Sequence, residues 1–265
     1  MNENLVEKFQ RMGARAVVKH GPFLRLDVQK DKKGEFFDLR IPDNISLEVL
    51  DVKPDKRHLL LMSRSPNPRK GLPDNKDRYL CGHDERHWFV AGTRTASTVT
   101  QAMEALKPAI VSEHQQRVGV KTKDRNRRKN AGFIRQGEWF FVPRPGLTFD
   151  MKLVLENEPI RQGRSKPHIC RWLYRSGGEA VWVTSRHPNG LTDVQYKDLL
   201  SKNPDAKKWV WQQMRRNAMA YAKGWVTHPD HATVPLPCWC EIHPSTEVRS
   251  DPWNRSRPGA VAFLD

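Results

Sequence analysis

The sequence lacks any uninterrupted apolar run of the roughly 18 residues that a membrane-spanning helix requires. Its first ten residues, MNENLVEKFQ, contain no apolar core of the kind found in signal peptides, which argues against export. Only four of the 265 residues are cysteine and none of them form a close CxxC pair, so we expect no disulfide framework. These absences predict a cytoplasmic protein without a membrane partner.

Several motifs of common enzymes are also missing. The sequence contains no P-loop, no GxGxxG after a strand, no GxSxG nucleophile elbow and no paired zinc-finger ligands. We find no internal repeat. The sequence therefore gives no support to an NTPase, a Rossmann dehydrogenase, an α/β-hydrolase or a solenoid.

What the sequence does have is an excess of positive charge. Its 46 Lys and Arg exceed its 30 Asp and Glu, which gives a net charge of +16 and a pI near 9.9. Hydrophobic residues make up 37% of the chain and nine residues are Trp, so it can bury a core and is not disordered. The charge favours a polyanionic partner, nucleic acid before a membrane surface.

The patterning predicts an α+β protein with two β-rich parts, mostly antiparallel, and a helical insertion in the second. We place the first part at residues 1–120, a basic junction at 121–131 and the second part at 132–265. At about 100–200 residues per domain, the length fits one large domain or two small ones. The insertion, at about 186–222, rests on an apolar stripe with helical spacing, formed by Val210, Met214, Ala218 and Tyr221.

The junction carries the densest positive charge in the chain. The segment KTKDRNRRK holds one acid, Asp124, and six cations: Lys121, Lys123, Arg125, Arg127, Arg128 and Lys129. Such a run either contacts nucleic-acid phosphates or is a solvated linker. Arg215 and Arg216 on the predicted helix extend the proposed surface. RNA is favoured over duplex DNA because no recognition-helix motif is visible. The candidate residues for stacking on bases are Trp88, Phe89, Trp139, Phe140 and Phe141, of which some must lie in the core because adjacent residues on a strand face opposite ways.

The candidate chemistry lies mainly in histidines. His228 and His231 stand in an H-x-x-H segment before an apolar strand, and His168 begins another strand. If the two strands are neighbours, the three imidazoles could hold one divalent metal such as zinc, or act as general acid and base on a phosphodiester. The alternative is that these histidines cap turns or form surface hydrogen bonds.

Two cysteine-containing segments are weaker candidates. Cys81, His83 and His87 include enough ligand types for zinc, although a charged turn between strands explains the segment equally well. Cys238 and Cys240 share one strand face and, with His243 nearby, could bind metal. We favour the interpretation that these two cysteines are small buried hydrophobic residues.

The order of several short motifs in the second part resembles a group of small bacterial proteins of uncertain function. Those proteins open with an Arg-Gln-Gly-Asp strand, continue into a Gly-His-x-His turn and end with a His-x-x-His segment before an apolar strand. Here the matching segments are Arg135-Gln136-Gly137-Glu138, Lys166-Pro167-His168 and His228-Pro229-Asp230-His231. The resemblance covers residues 133–243, with the helical segment as an insertion. It implies a compact antiparallel unit in which the three histidines converge, and the lysine in place of the turn's first histidine would suit an anion.

Three functional hypotheses follow. The first is a cytoplasmic RNA- or DNA-binding protein, for example a component of a ribonucleoprotein. The second is a histidine- or metal-dependent enzyme that acts on phosphodiesters. The third is a protein-interaction subunit whose charge matches an acidic protein partner.

Overall fold

The computed structural model describes residues 2–69, 71–85, 87–93, 95–161 and 166–246. The α-helices are α1 (Asn2–Arg11), α2 (Val99–Ala105), α3 (Ala109–Arg117) and α4 (Asp193–Lys202). The first strands are β1 (Ala16–His20), β2 (Arg25–Asp31), β3 (Gly34–Ile41), β4 (Ser46–Lys53), β5 (His58–Ser65), β6 (Asn75–Asp84) and β7 (His87–Thr93). The later strands are β8 (Ile134–Gln136), β9 (Trp139–Pro143), β10 (Leu155–Ile160), β11 (His168–Ser176), β12 (Glu179–Thr184), β13 (His187–Leu191), β14 (Gln212–Arg216), β15 (Met219–His228) and β16 (His231–Pro244).

These elements form an α+β protein in which strands predominate and most strand pairs are antiparallel, as predicted. The chain divides into two compact units. The first unit holds the described residues up to Ser112 together with residues 245–246, and the second runs from Glu113 to Pro244. The basic run at 121–129 therefore lies inside the second unit. Residues 247–265, which the predicted second part includes, lie outside the described residues.

The first unit contains a three-stranded sheet, in the order β1-β3-β2, and a four-stranded sheet, in the order β4-β5-β6-β7. Strand β5 explains how its core is organised. Leu59 and Leu61 pack with α1 in one buried cluster, whereas Leu60 packs with α2 in another. A strand that is buried on both faces has a continuous run of apolar residues in its sequence, and β5 shows this as Leu-Leu-Leu-Met.

The second unit is organised around a six-stranded antiparallel sheet in the order β10-β11-β15-β16-β9-β8. Trp139 and Phe141 point into its main core, and Phe140 points away and packs edge-to-face on Phe133, with ring centroids 5.1 Å apart. The alternation follows from the period of two along a strand. It also buries Trp139, Phe140 and Phe141, so none of these three candidate rings is available for stacking.

The insertion is helical only in its first part. Helix α4 begins at a capping box formed by Thr192 and Gln195, as its sequence favours. The prediction of a helix from Val210 to Tyr221 is wrong, because β14 and β15 occupy residues 212–216 and 219–228. A spacing of four residues places side chains on one face of a strand as well as on one face of a helix, so this stripe could not separate the two structures. Arg215 and Arg216 accordingly lie on β14, which pairs with β12.

No helix among the described residues is both long and apolar enough to cross a membrane.

Candidate metal centre

Three histidines meet at one end of the six-stranded sheet. His168 is the first residue of β11, and His228 is the last residue of the neighbouring antiparallel strand β15. A two-residue turn, Pro229 and Asp230, connects β15 to β16, where His231 pairs with His228. This confirms the condition, set from the sequence, that the strands bearing His168 and His228 are neighbours.

The three imidazoles are close enough to hold one metal ion. One nitrogen from each ring lies within 4.8 Å of the other two. The ring centroid of His168 is 4.1 Å from that of His228 and 5.6 Å from that of His231, and in both pairs the rings are close to parallel. His168 is fully buried, whereas His228 and His231 are half-buried, so the cluster opens toward solvent on one side.

Gln136, at the end of β8, determines which nitrogen of His168 carries a proton. The buried Gln136 side chain donates both of its amide hydrogens, to the carbonyls of Val226 and Ala232 at 3.1 and 2.7 Å. Its Oε1 can therefore only accept, and it lies 2.9 Å from His168 Nδ1. His168 Nδ1 is thus the donor, and in the neutral ring the lone pair is on Nε2.

His168 Nε2 faces a carboxylate. Glu138 Oε2 is 3.4 Å from Nε2, and this nitrogen is buried without a hydrogen-bond partner among the described residues. Burial raises the pKa of Glu138, but His168, the residue's own backbone N–H and His231 outweigh burial and lower the pKa overall. An ionised carboxylate and an imidazole lone pair repel each other unless a cation or a proton lies between them.

The turn between β15 and β16 fixes the second histidine. The backbone N–H of Asp230 donates to His228 Nδ1 at 3.1 Å. Burial and the nearby His168 lower the pKa of His228, against an opposing effect of Asp230, so the neutral ring is favoured. A cation that binds His228 through Nδ1 would replace one hydrogen bond, which is worth about 1 kcal/mol.

Lys166 does not act as a free cation at the cluster. Its Nζ contacts both carboxylate oxygens of Asp230, at 2.9 and 2.8 Å. The lysine charge is therefore paired with that of Asp230, and the carboxylate of Glu138 also lies beside the imidazoles. A lysine that is paired with Asp230 gives no support to the anion site that the resemblance implied for Lys166.

Gly137 lies directly against the histidines. A Cβ atom at this position would be 2.8 Å from His231 Nε2 and 3.2 Å from His168 Cε1, and its φ of +56° is itself unfavourable for a side chain. Gln136, Gly137 and Glu138 therefore all border the cluster, although the sequence did not identify them as site residues. The available signal was their place in the Arg-Gln-Gly-Glu motif.

The second predicted cluster is not assembled as a metal site. Among the described residues, the group of three histidines is the one set of three or more candidate ligands that meets the 4.8 Å criterion, and Cys81, His83 and His87 are not in it. Cys81 points into the core of the first unit, where burial strongly raises its pKa. His83 packs against Trp88, and His87 contacts Glu35 Oε1 at 2.6 Å.

The interpretation of Cys238 and Cys240 as hydrophobic residues agrees with their positions. Cys240 is fully buried in the main core of the second unit, and the half-buried Cys238 packs against the same core. The Cys240 thiol donates to the Cys238 carbonyl at 3.5 Å. Burial raises the pKa of the Cys240 thiol, which keeps it protonated.

The basic run forms an ordered loop. Asn130 holds it through four hydrogen bonds: its amide donates to two loop carbonyls, and its Oδ1 accepts from the N–H groups of Gly132 and Phe133. The loop exposes Lys121, Lys123, Arg127 and Lys129 and leaves Arg125 and Arg128 half-buried. Arg127 pairs with Asp124 at 3.1 Å.

Arg215 and Arg216 contact their own sheet. Arg216 pairs with Glu179 at 2.6 Å across β14 and β12, and Arg215 donates to the carbonyl of Gly177 at 2.9 Å. These contacts stabilise the small sheet in the order β13-β12-β14. The two arginines have structural partners in addition to any role in binding.

In comparisons with known proteins, no family model, curated protein or solved structure matches this chain.

Proposed function

We propose that the second unit carries a divalent-metal centre of the zinc type, held by His168, His228 and His231, and that the protein is a metal-dependent hydrolase of phosphodiesters. The observation that carries the proposal is the convergence of the three imidazoles, one nitrogen of each lying within 4.8 Å of the other two, with the buried Nε2 of His168 3.4 Å from Glu138. A cation at this position would be attracted by the carboxylate and would give the buried nitrogen a partner.

The donor set fits such a metal. Imidazole nitrogens suit zinc, nickel, copper and iron, and three protein ligands leave a fourth position for water or substrate. A bound metal of this type lowers the pKa of water to about 7. Glu138 is placed to accept a proton, because its carboxylate lies beside the imidazoles and its lowered pKa keeps it ionised. Gln136 orients His168, as hydrogen-bonded partners of metal-bound histidines do.

Equilibrium dialysis of the EDTA-treated chain against zinc, followed by elemental analysis, tests metal binding. We expect the wild type to bind one equivalent of zinc. His168→Ala should lose more zinc affinity than the about 10–100-fold that is lost when a hydrogen-bonding partner of a metal ligand is removed. His20→Ala is the control, since His20 is exposed in the first unit. Absence of binding, or equal affinity in His168→Ala, would overturn the proposal.

A separate assay addresses the reaction. Hydrolysis of bis(p-nitrophenyl) phosphate should require added metal and should be lost in the double variant His228→Ala/His231→Ala. Turnover that persists in a folded double variant would reject these histidines as the catalytic site.

A second candidate function, binding of single-stranded or structured RNA, is favoured by the loop at 121–129. Lys121, Lys123 and Lys129 are exposed and form no ion pair among the described residues, and Asn130 holds the loop that presents them. Preorganised cations that need not break an existing ion pair can neutralise phosphates at low cost. The net charge of +16 is in keeping with such a partner.

Filter binding at several salt concentrations tests this function. Charge reversal of Lys121, Lys123 and Lys129 should remove three phosphate contacts. Each contact contributes about 0.7 to the slope of the logarithm of the RNA association constant against the logarithm of the salt concentration, so the slope should become shallower by about 2. The matched control reverses Lys32, Lys53 and Lys76, which are exposed in the first unit. Equal effects of the two triple variants would reject the loop as the RNA site.

A further inference from the structure

The small sheet of the second unit carries a concentration of aromatic rings that neither the histidine cluster nor the basic loop uses. Trp182 stacks on Tyr196 of α4 with centroids 4.8 Å apart, and Tyr196 packs edge-to-face on Trp211 at the same distance. Trp209 lies nearly parallel to Trp211, at 5.9 Å and 22°. His187 at the start of β13 is nearly parallel to Trp211 as well, at 10°.

Hydrogen bonds fix the inner rings of this group. Trp182 donates its indole N–H to Asp193, and Trp211 donates to the carbonyl of Ala206, both at 2.9 Å. Trp209 is half-buried on the outer side. It therefore rests on an immobilised aromatic layer, so ordering its ring for a ligand costs little conformational entropy.

Trp209 borders a cleft of about 450 Å³. The turn after β12 forms one wall with Thr184, Ser185 and Arg186, and the opposite wall includes Val210 and Gln212. The volume lies within the range of small-molecule sites, about 300–1,000 Å³. Val210 is 89% exposed, which is unusual for an aliphatic residue and marks this wall as uncovered.

Arg186 is the charged residue among those that line the cleft. The Arg186 guanidinium lies 4.3 Å from the centre of the Trp209 ring and forms no ion pair among the described residues. The bordering segments, residues 184–187 and 207–212, contain Arg186, Lys207 and Lys208 and no acidic residue. Lys208 pairs with Asp205, whereas Lys207 is exposed.

We infer that this cleft, here called the Trp209 cleft, binds one nucleotide of a single-stranded RNA, with the base taking the place of the Arg186 guanidinium over the Trp209 ring and the phosphate pairing with that guanidinium. Aromatic rings and arginines are the residues with which proteins hold unstacked bases and their phosphates. The inference rests on the second candidate function, RNA binding, and adds the residue that contacts a base.

Fluorescence anisotropy with a labelled twelve-nucleotide single-stranded RNA tests the inference on the full chain. Trp209→Ala should weaken binding about 5- to 150-fold, the effect of losing one stacked base, while Trp209→Phe retains most of the affinity. Arg186→Ala should weaken binding and lower its salt dependence. Circular dichroism and the melting temperature verify that each variant is folded.

Trp225→Ala is the matched control. Trp225 is 46% exposed and also lies under an arginine, Arg171, at 5.4 Å, but Arg171 is paired with Glu156 at 3.3 Å. This variant should bind as the wild type does. RNA affinity equal to that of the wild type in Trp209→Ala, or an equal loss of affinity in Trp225→Ala, would overturn the assignment of the Trp209 cleft as an RNA site. The basic loop is tested separately by its own triple variant.

A second arm separates the two proposals if the wild type binds no RNA. That result would reject RNA binding at the basic loop and at the cleft, and saturation-transfer NMR with uridine 5′-monophosphate would then decide whether the cleft holds a single free nucleotide. Transfer to the base protons that disappears in Trp209→Ala supports the Trp209 cleft. Absence of transfer in the wild type overturns it.

Discussion

At the scale of single residues, Gln136 has the largest influence on what the histidine cluster can bind. Its amide donates to two carbonyls and accepts from His168 Nδ1, so in the neutral ring the lone pair of His168 is on Nε2, next to Glu138. With the opposite tautomer, His168 Nε2 would donate a proton to Glu138 and would not be a ligand. The proposed metal site therefore depends on a residue that does not touch the metal.

Gln136→Leu should weaken zinc binding by about 10–100-fold, because His168 loses the partner that fixes its tautomer. It should also lower the free energy of unfolding by about 1–3 kcal/mol, since two carbonyls lose their donor. Isothermal titration calorimetry and urea unfolding measure the two effects. Unchanged zinc affinity in a folded variant would contradict the role assigned to Gln136.

Gly137→Ala provides a steric test of the same site. The added Cβ would be 2.8 Å from His231 Nε2, so we expect zinc binding to be lost. Gly119→Ala is the control, since Gly119 has a similar φ of +68° but open space around its Cα. Both variants should lose about 1–2 kcal/mol of stability from the left-handed backbone, and only Gly137→Ala should lose zinc. Equal zinc affinities in the two variants would place the metal elsewhere.

At the scale of elements, the sequence predicted local pieces better than their partners. The H-x-x-H spacing identified His228 and His231 as a pair because only a two-residue turn separates them. Glu138 and Gln136 could not be assigned to the site in the same way. Strand β8 is not adjacent to β11 in the sheet, so these residues reach His168 only through the tertiary structure, which leaves no local pattern in the sequence. The same reason applies to Val210–Tyr221, where pairing with β12 and β11 decides between helix and strand.

The basic loop is an element whose order can be tested directly. Asn130→Ala removes four hydrogen bonds to the backbone of residues 124–133 and leaves every charge in place. We expect faster amide hydrogen exchange in residues 121–133 and weaker RNA binding, because the lysines are no longer preorganised. Exchange rates equal to those of the wild type would show that Asn130 does not hold the loop.

At the scale of the whole molecule, buried and half-buried histidines outside the metal site link stability to pH. Burial lowers the pKa of His243, and it is also the largest cause of the lowered pKa values of His83 and His114. In the unfolded chain these rings titrate near about 6.5, so just below that pH the unfolded state binds more protons than the folded state. Their contribution to stability is present above pH about 6.5 and is lost as the pH falls through the lower pKa of the folded state.

The melting temperature of the EDTA-treated protein should therefore rise between pH 5 and pH 7. His114→Gln should reduce this dependence, because the amide can still donate to the Gly132 carbonyl that His114 contacts at 3.0 Å but does not titrate. His20→Gln, at an exposed position, serves as the control. A melting temperature that falls over this interval would contradict the assigned direction.

The central claim, a metal centre built on His168, is tested most directly by cobalt(II) substitution followed by absorption spectroscopy. The account predicts one equivalent of bound cobalt with the visible bands of a tetrahedral or five-coordinate nitrogen and oxygen site, and their loss in His168→Ala. Cobalt that gives only the weak spectrum of the aqueous ion, or a bound spectrum unchanged in His168→Ala, would contradict it.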